Sequence, residues 1–191
     1  MPNWRSAPWW TVPNFLTLGR LVLAPFVVWE IVAGNPVEAL ILLFAAGMTD
    51  LFDGMVARAT HSHSPVGELL DPVADKALLS GVFLGLAWIG TVPVWFVGIV
   101  FGRDVFLLLA AAFVMAFTTA PDLRPDRYGK ASTALQILTA GILVAGNANG
   151  GISSNLGKVE IFFLWPTAVL TAFSGINYAW RGVRLMRRVD A

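Results

Sequence analysis

The 191-residue sequence predicts an all-α integral membrane protein, a bundle of six transmembrane helices with a short N-terminal interfacial helix. Three observations carry this. Only 13% of the residues are charged and 57% are hydrophobic, against about 25% charged in ordinary soluble domains. Six apolar runs approach the roughly 20 residues that a helix needs to cross the hydrocarbon of a bilayer. Lys and Arg collect on alternate connections, as the positive-inside rule requires of a polytopic chain. The net charge of +1 is uninformative by itself, and nucleic acid is not among the expected partners. The absence of cysteine excludes disulfides, iron–sulfur clusters and zinc-thiolate sites. No repeat, low-complexity stretch or cleavable signal peptide stands out, so residues 1–191 read as a single membrane domain.

The elements follow in order. Trp4, Trp9 and Trp10 precede the first span and mark the interfacial helix. The spans are expected at about 14–33, 37–59, 71–89, 93–118, 129–147 and 158–181. Between them lie helix breakers: Gly34-Asn35-Pro36, Ser64-Pro65, Gly90 to Pro93, Pro121 to Pro125, and Gly150-Gly151. Backbone polar groups have no partner in lipid, so each span is expected to be helical. Pro166 is expected to kink the sixth. Arg5, Arg58, Lys76, Arg124, Arg127, Lys130, Arg181, Arg184, Arg187 and Arg188 fall on the side of the two termini, whereas the opposite loops hold only Lys158. Both termini are therefore expected in the cytoplasm. The C-terminal Arg181–Arg188 stretch anchors this topology and could also meet anionic lipid.

The polar exception in this chain is a set of aspartates. Asp50 and Asp53 are spaced i, i+3, and Asp71 and Asp75 are spaced i, i+4. Each pair lies on one face of its helix, and a short connection between antiparallel neighbours would bring the pairs together. Carboxylates facing one another repel, and burial raises the penalty. Cations would relieve it. Oxygen ligands without His or Cys favour Mg²⁺, Mn²⁺ or Ca²⁺, and two divalent ions balance the formal charge. Metal pairs about 4 Å apart recur in displacement at phosphorus. Gly54 and Ala57 leave room for a ligand or simply let helices pack closely, Gly67 does so in the connection, and Arg58 is a candidate for phosphate recognition. His61 and His63 read as a solvated loop, with a metal or pH-sensitive contact as the alternative.

The segment Asp50-x2-Asp53-Gly54-x2-Ala57-Arg58-x8-Gly67-x3-Asp71-x3-Asp75 resembles the complete signature of the CDP-alcohol phosphatidyltransferase family. Pro13 to Leu21, "PNFLTLGRL", is similar to the opening of its phosphatidylglycerophosphate synthase and CMP-forming cardiolipin synthase branches. The resemblance implies metal-dependent transfer of a phosphatidyl group from CDP-diacylglycerol to an alcohol, with release of CMP, in phospholipid biosynthesis. It implies two Mg²⁺ or Mn²⁺ ions on Asp50, Asp53, Asp71 and Asp75, with Asp75 also the general base. It places the cytidine nucleotide and its diphosphate near Asn14, Thr17, Asp50, Gly54, Ala57, Arg58 and Gly67. It further implies a homodimer in the inner (plasma) membrane of a bacterial cell, with the active site facing the cytoplasm.

Arg20, Arg103 and Lys130 are cations on one side of the predicted bundle and are candidates for the acceptor. Arg103 lies deep in a span, where it needs either its neighbour Asp104 or an acceptor phosphate. Ser132 stands where phosphatidylglycerophosphate synthases tend to carry a second lysine, and Gly102 to Val105 resembles cardiolipin synthases more. Phosphatidylglycerol is therefore the expected acceptor and glycerol 3-phosphate the alternative. Other readings are a cation transporter, a prenyltransferase-like enzyme and an inactive scaffold. Clustering of the aspartates at one end speaks against the transporter.

Overall fold

Helix ends coincide with the punctuation in the sequence. In the computed structural model the described residues are 12–60, 65–117, 127–148, 158 and 160–189, and the side chains at 12–14, 16, 50–60, 65–72, 111–117, 148, 160–161 and 181–189 also lie outside the description. Six α-helices result: α1 Val12–Ala33, α2 Pro36–Thr60, α3 Pro65–Trp88, α4 Val94–Phe117, α5 Arg127–Ala148 and α6 Trp165–Val189, with a π-helical turn, Glu160–Leu164, leading into α6. The expected interfacial helix with Trp4, Trp9 and Trp10, and the His61/His63 loop, fall outside the described residues.

Two glycines stop helices by one device. Gly34 (φ 81°) and Gly90 (φ 76°) adopt the left-handed conformation after α1 and α3. Asn35 N then donates to Glu30 O at 2.9 Å, and Thr91 N to Leu86 O at 2.9 Å. These 6→1 bonds satisfy carbonyls that the ended helix would orphan. Pro65 was expected to break the chain before a third helix starting near 71. It instead opens α3, because a first-turn proline loses no hydrogen bond and its fixed φ suits the helix. Pro166 follows closely on a π-helical turn, Glu160–Leu164. Its ring has no N–H and would crowd the carbonyl four residues back, and the π turn immediately before it loosens the winding there.

The helices form two groups of three. α1 packs on both α2 and α3, and α6 packs on both α4 and α5; α3 meets α4 and α5, and α2 meets α5, closing the groups together. The core between them contains Val27, Val82, Phe83, Leu86, Phe96, Val100, Leu143 and Leu164. Phe83 and Phe96 meet edge to face at 5.1 Å, the arrangement ring quadrupoles favour. The α1–α3 crossing depends on small residues. A Cβ at Gly81 would sit 3.0 Å from Val28 Cγ2, and one at Gly85 3.3 Å from Ile31 Cγ2. This spacing of small residues lets backbones approach closely. Gly81→Leu is expected to destabilise the fold by about 1–3 kcal/mol through overpacking, read as a lower midpoint in equilibrium unfolding.

Between α5 and α6 runs a buried polar ladder. Ser132 and Thr171 hydroxyls lie 3.0 Å apart, Gln136 Nε2 donates to Thr171 Oγ1 at 2.9 Å, and Thr139 and Thr167 hydroxyls lie 2.8 Å apart. All five side chains are buried. Thr171→Val keeps the shape and removes two of these contacts. It is expected to cost about 1–3 kcal/mol, because the Gln136 amide stays buried without its acceptor; thermal unfolding of the variant checks it.

Among the described residues, no helix is long and apolar enough to cross a membrane. The six predicted spans are present as helices, but over their described residues none is apolar enough to count as a membrane crossing, which corrects that part of the expectation. Arg20 and Glu30 interrupt α1, Asp75 and Lys76 α3, and Arg103 and Asp104 α4, while α5 is threaded by Ser132, Gln136 and Thr139.

Candidate functional site

The α2–α3 segment carries the acidic signature on helical backbone throughout, apart from the 61–64 connection. Asp50 and Asp53 lie one turn apart near the end of α2, and Asp71 and Asp75 one turn apart on α3. The side chains of Asp50, Asp53, Gly54, Ala57, Arg58, Gly67, Asp71 and Asn14 lie outside the described residues. No group of three metal-ligating side chains occurs among the described ones.

Asp75 is described, and its surroundings differ from the expectation of separate roles. Its carboxylate forms an ion pair with Arg20 of α1, one of the cations assigned to the acceptor. Arg20 is 1% exposed and Asp75 48% exposed. A buried guanidinium in an apolar helix needs a carboxylate, and Arg20 reaches across the α1–α3 crossing to find one. Thr17, also buried, lies one turn before Arg20 on the same face of α1. The signal available in the sequence was the three-residue spacing of Asn14, Thr17 and Arg20, which puts one polar stripe on an otherwise oily helix.

The next residue, Lys76, points around α3 to α4. Its Nζ donates to Asp104 Oδ1 at 2.8 Å, and Arg103 Nη1 donates to the same oxygen at 2.6 Å. Arg103 Nη2 donates to Ser174 Oγ of α6 at 3.2 Å. Asp104 therefore does pair with Arg103, one of the two alternatives open at the sequence level. A Cβ on Gly129 would lie 3.5 Å from Arg103 Nη2, and one on Gly175 3.4 Å from Arg103 Cγ. These two glycines leave the arginine its channel between α5 and α6. Lys130 is exposed at the start of α5, beside Gly129. The three candidate acceptor cations thus occupy distinct places: Arg20 at α1–α3, Arg103 at α4–α6, and Lys130 on the surface. Ser174, Gly129 and Gly175 were missed, since nothing in their local sequence marks them.

Ser132 is fully buried, and its hydroxyl is engaged by Thr171 of α6.

The sequence model for CDP-alcohol phosphatidyltransferases matches residues 10–173. The chain belongs to the CDP-alcohol phosphatidyltransferase family. Members are membrane enzymes and are in general dependent on divalent cations. The probable cardiolipin synthase (CMP-forming) of Drosophila melanogaster is 34% identical over 88% of this chain and 56% of its own length. The human cardiolipin synthase (CMP-forming) is 33% identical over 88% of this chain and 60% of its own. The chain thus spans little more than half the length of these animal relatives. The CDP-diacylglycerol–glycerol-3-phosphate 3-phosphatidyltransferase of Aquifex aeolicus is 30% identical over 92% of this chain and 97% of its own. The matched range of the family includes every residue named above as a candidate, from Asn14 to Lys130, and the helices α1 to α5 that carry them.

Proposed function

We propose that this chain transfers a phosphatidyl group from CDP-diacylglycerol to an alcohol, releasing CMP, with phosphatidylglycerol as the acceptor and cardiolipin as the product. The observation that carries the proposal is the intact eight-position acidic signature on α2 and α3, inside a family match that extends over residues 10–173. The CMP-forming cardiolipin synthases among the relatives support the acceptor. The full-length match to the Aquifex aeolicus enzyme favours a second reading, glycerol 3-phosphate as acceptor.

The ligand chemistry fits divalent ions. The proposed set, Asp50, Asp53, Asp71 and Asp75, is all carboxylate, the hard-oxygen type that Mg²⁺ and Mn²⁺ take, and Asp75 is half exposed and so open to a cation. When bound, such ions supply charge stabilisation to the diphosphate and to departing CMP. The chain's own residues do the rest. Asp75 accepts the proton of the acceptor hydroxyl as that oxygen bonds to the lipid-side phosphorus and the bond to CMP breaks. Arg20 holds the Asp75 side chain toward α1. Thr17, Asn14, Arg58 and the small residues Gly54, Ala57 and Gly67 are assigned to the nucleotide and its diphosphate, and Arg103 and Lys130 to the acceptor.

We place the protein in the inner membrane of a bacterial cell, as a homodimer with termini and site facing the cytoplasm. The distribution of polarity supports embedding. Trp29, Phe44, Trp88 and Phe162 are 70–81% exposed, whereas Arg20, Asp104, Ser132, Gln136, Thr139, Thr167 and Thr171 are buried. Large apolar side chains on the surface, with polar and charged ones buried beside the apolar core, depart from the order of a soluble protein. The test is an acceptor panel with purified protein, CDP-diacylglycerol and Mg²⁺ or Mn²⁺. CMP and cardiolipin are expected with phosphatidylglycerol, and EDTA is expected to abolish both. Product from glycerol 3-phosphate alone overturns the acceptor. Cation flux in proteoliposomes without CMP release would establish a transporter instead.

A further inference from the structure

Arg20 is held where it cannot retreat from Asp75. Its side chain is among the largest fully buried ones of the described residues, so it has no solvent to withdraw into. Its helix is fixed as well. About two to three turns further along α1, Val28 and Ile31 press on α3 so closely that a Cβ at Gly81 or Gly85 would stand 3.0 or 3.3 Å from them. The next cation on α3, Lys76, is turned away to Asp104 at 2.8 Å. Asp75 itself is half exposed. A carboxylate proposed as a metal ligand thus has an immobile, buried guanidinium on one side and an accessible surface on the other.

This placement changes the charge balance. Asp50, Asp53, Asp71 and Asp75 with two divalent ions sum to zero; Arg20 makes the sum one positive charge, and Arg58 adds to it. Like charges brought together out of water repel. An ion that takes Asp75 also draws negative charge away from a guanidinium that stays buried. Both costs fall when a diphosphate brings its negative charges to the ions. Thr17, buried one turn before Arg20 on the same face, is assigned to the nucleotide, which brings the diphosphate to this side of α1.

We propose that Arg20 is a tethered competitor for the cation at Asp75, and that it makes metal loading depend on the diphosphate of the substrate. This rests on the divalent-cation reading given above and deepens it by adding a residue that governs when the ions bind. Arg20 acts through Asp75 and is a positioning residue. The coupling is reciprocal, so cation and diphosphate each tighten the other.

Mn²⁺ binding to the purified full chain, followed by electron paramagnetic resonance with and without CDP-diacylglycerol in mixed micelles, tests this. Without the lipid, Arg20→Met and Arg20→Gln are expected to bind Mn²⁺ at least about tenfold more tightly than wild type, because a unit charge beside the site is gone. Arg20→Gln keeps hydrogen-bond donors toward Asp75 and serves if the methionine variant does not fold. Arg20→Lys retains the charge and is expected to stay within about threefold of wild type. Lys76→Met removes a neighbouring charge that faces Asp104 and is expected to stay within the same range. CDP-diacylglycerol is expected to tighten Mn²⁺ at least about tenfold in wild type, and this gain is expected to shrink in both uncharged variants. Wild-type Mn²⁺ affinity in both of them overturns the proposal and leaves the cation reading intact. Tightening in Lys76→Met equal to that in Arg20→Met also overturns it, because any nearby charge would then suffice. An undiminished lipid-dependent gain in the uncharged variants overturns the dependence on the diphosphate. Wild type that binds no Mn²⁺ in either condition overturns the proposal and the cation reading together. Tighter Mn²⁺ in Arg20→Met, with no CMP from any acceptor, supports the competition and removes the reaction assigned to the site.

Discussion

Asp75→Asn is expected to lower CMP release from CDP-diacylglycerol by about 10²–10⁴-fold, the range attributable to loss of a positioned general base. The substitution is isosteric, so the α3 backbone has no reason to move. The loss of charge also leaves Arg20, 1% exposed, facing a neutral amide. A fall in turnover could then reflect a weakened α1–α3 crossing. The double variant Arg20→Met/Asp75→Asn separates the two effects. It removes both charges, and replacement of a buried ion pair by apolar volume is often neutral for stability. Its thermal midpoint is expected to return toward wild type while turnover stays low. Full turnover in Asp75→Asn would end the assignment of Asp75 as base.

Asp104→Ala is expected to have the largest effect on stability, a loss of about 3–5 kcal/mol, because it strands two cations that share a single carboxylate oxygen. Lys76→Met should cost less, since Lys76 is 24% exposed and its removal leaves a matched Arg103–Asp104 pair. Chemical unfolding of both variants in the same detergent gives the comparison. An Asp104→Ala protein that unfolds with Lys76→Met, or after it, would show that the carboxylate does not hold these helices together.

Much of the architecture was legible because its signals are local. Gly34 and Gly90 ended helices where expected, and α2, α4 and α5 begin and end within two residues of the predicted spans. Pro65 misled because proline at a first helical turn and proline between helices look alike in sequence. The contacts at the site were less legible. Arg103–Asp104 joins neighbours and could be named in advance. Arg20–Asp75 joins residues 55 positions apart, and the choice of partner depends on how α1 crosses α3, which depends in turn on Gly81 and Gly85. The α5–α6 ladder escaped notice because Ser, Thr and Gln at helical spacing carry no charge to betray which way they face.

Asp75 and Lys76 are consecutive residues on α3, yet one is fastened to α1 and the other to α4. Adjacent side chains on a helix diverge by about 100°, so α3 is gripped from two directions at one height. Turning it about its axis strains both attachments together. A ligand that draws Asp75 away from Arg20 would therefore be felt through Lys76 at Asp104 and Arg103, so that events at one end of this chain of charges have a mechanical route to the other.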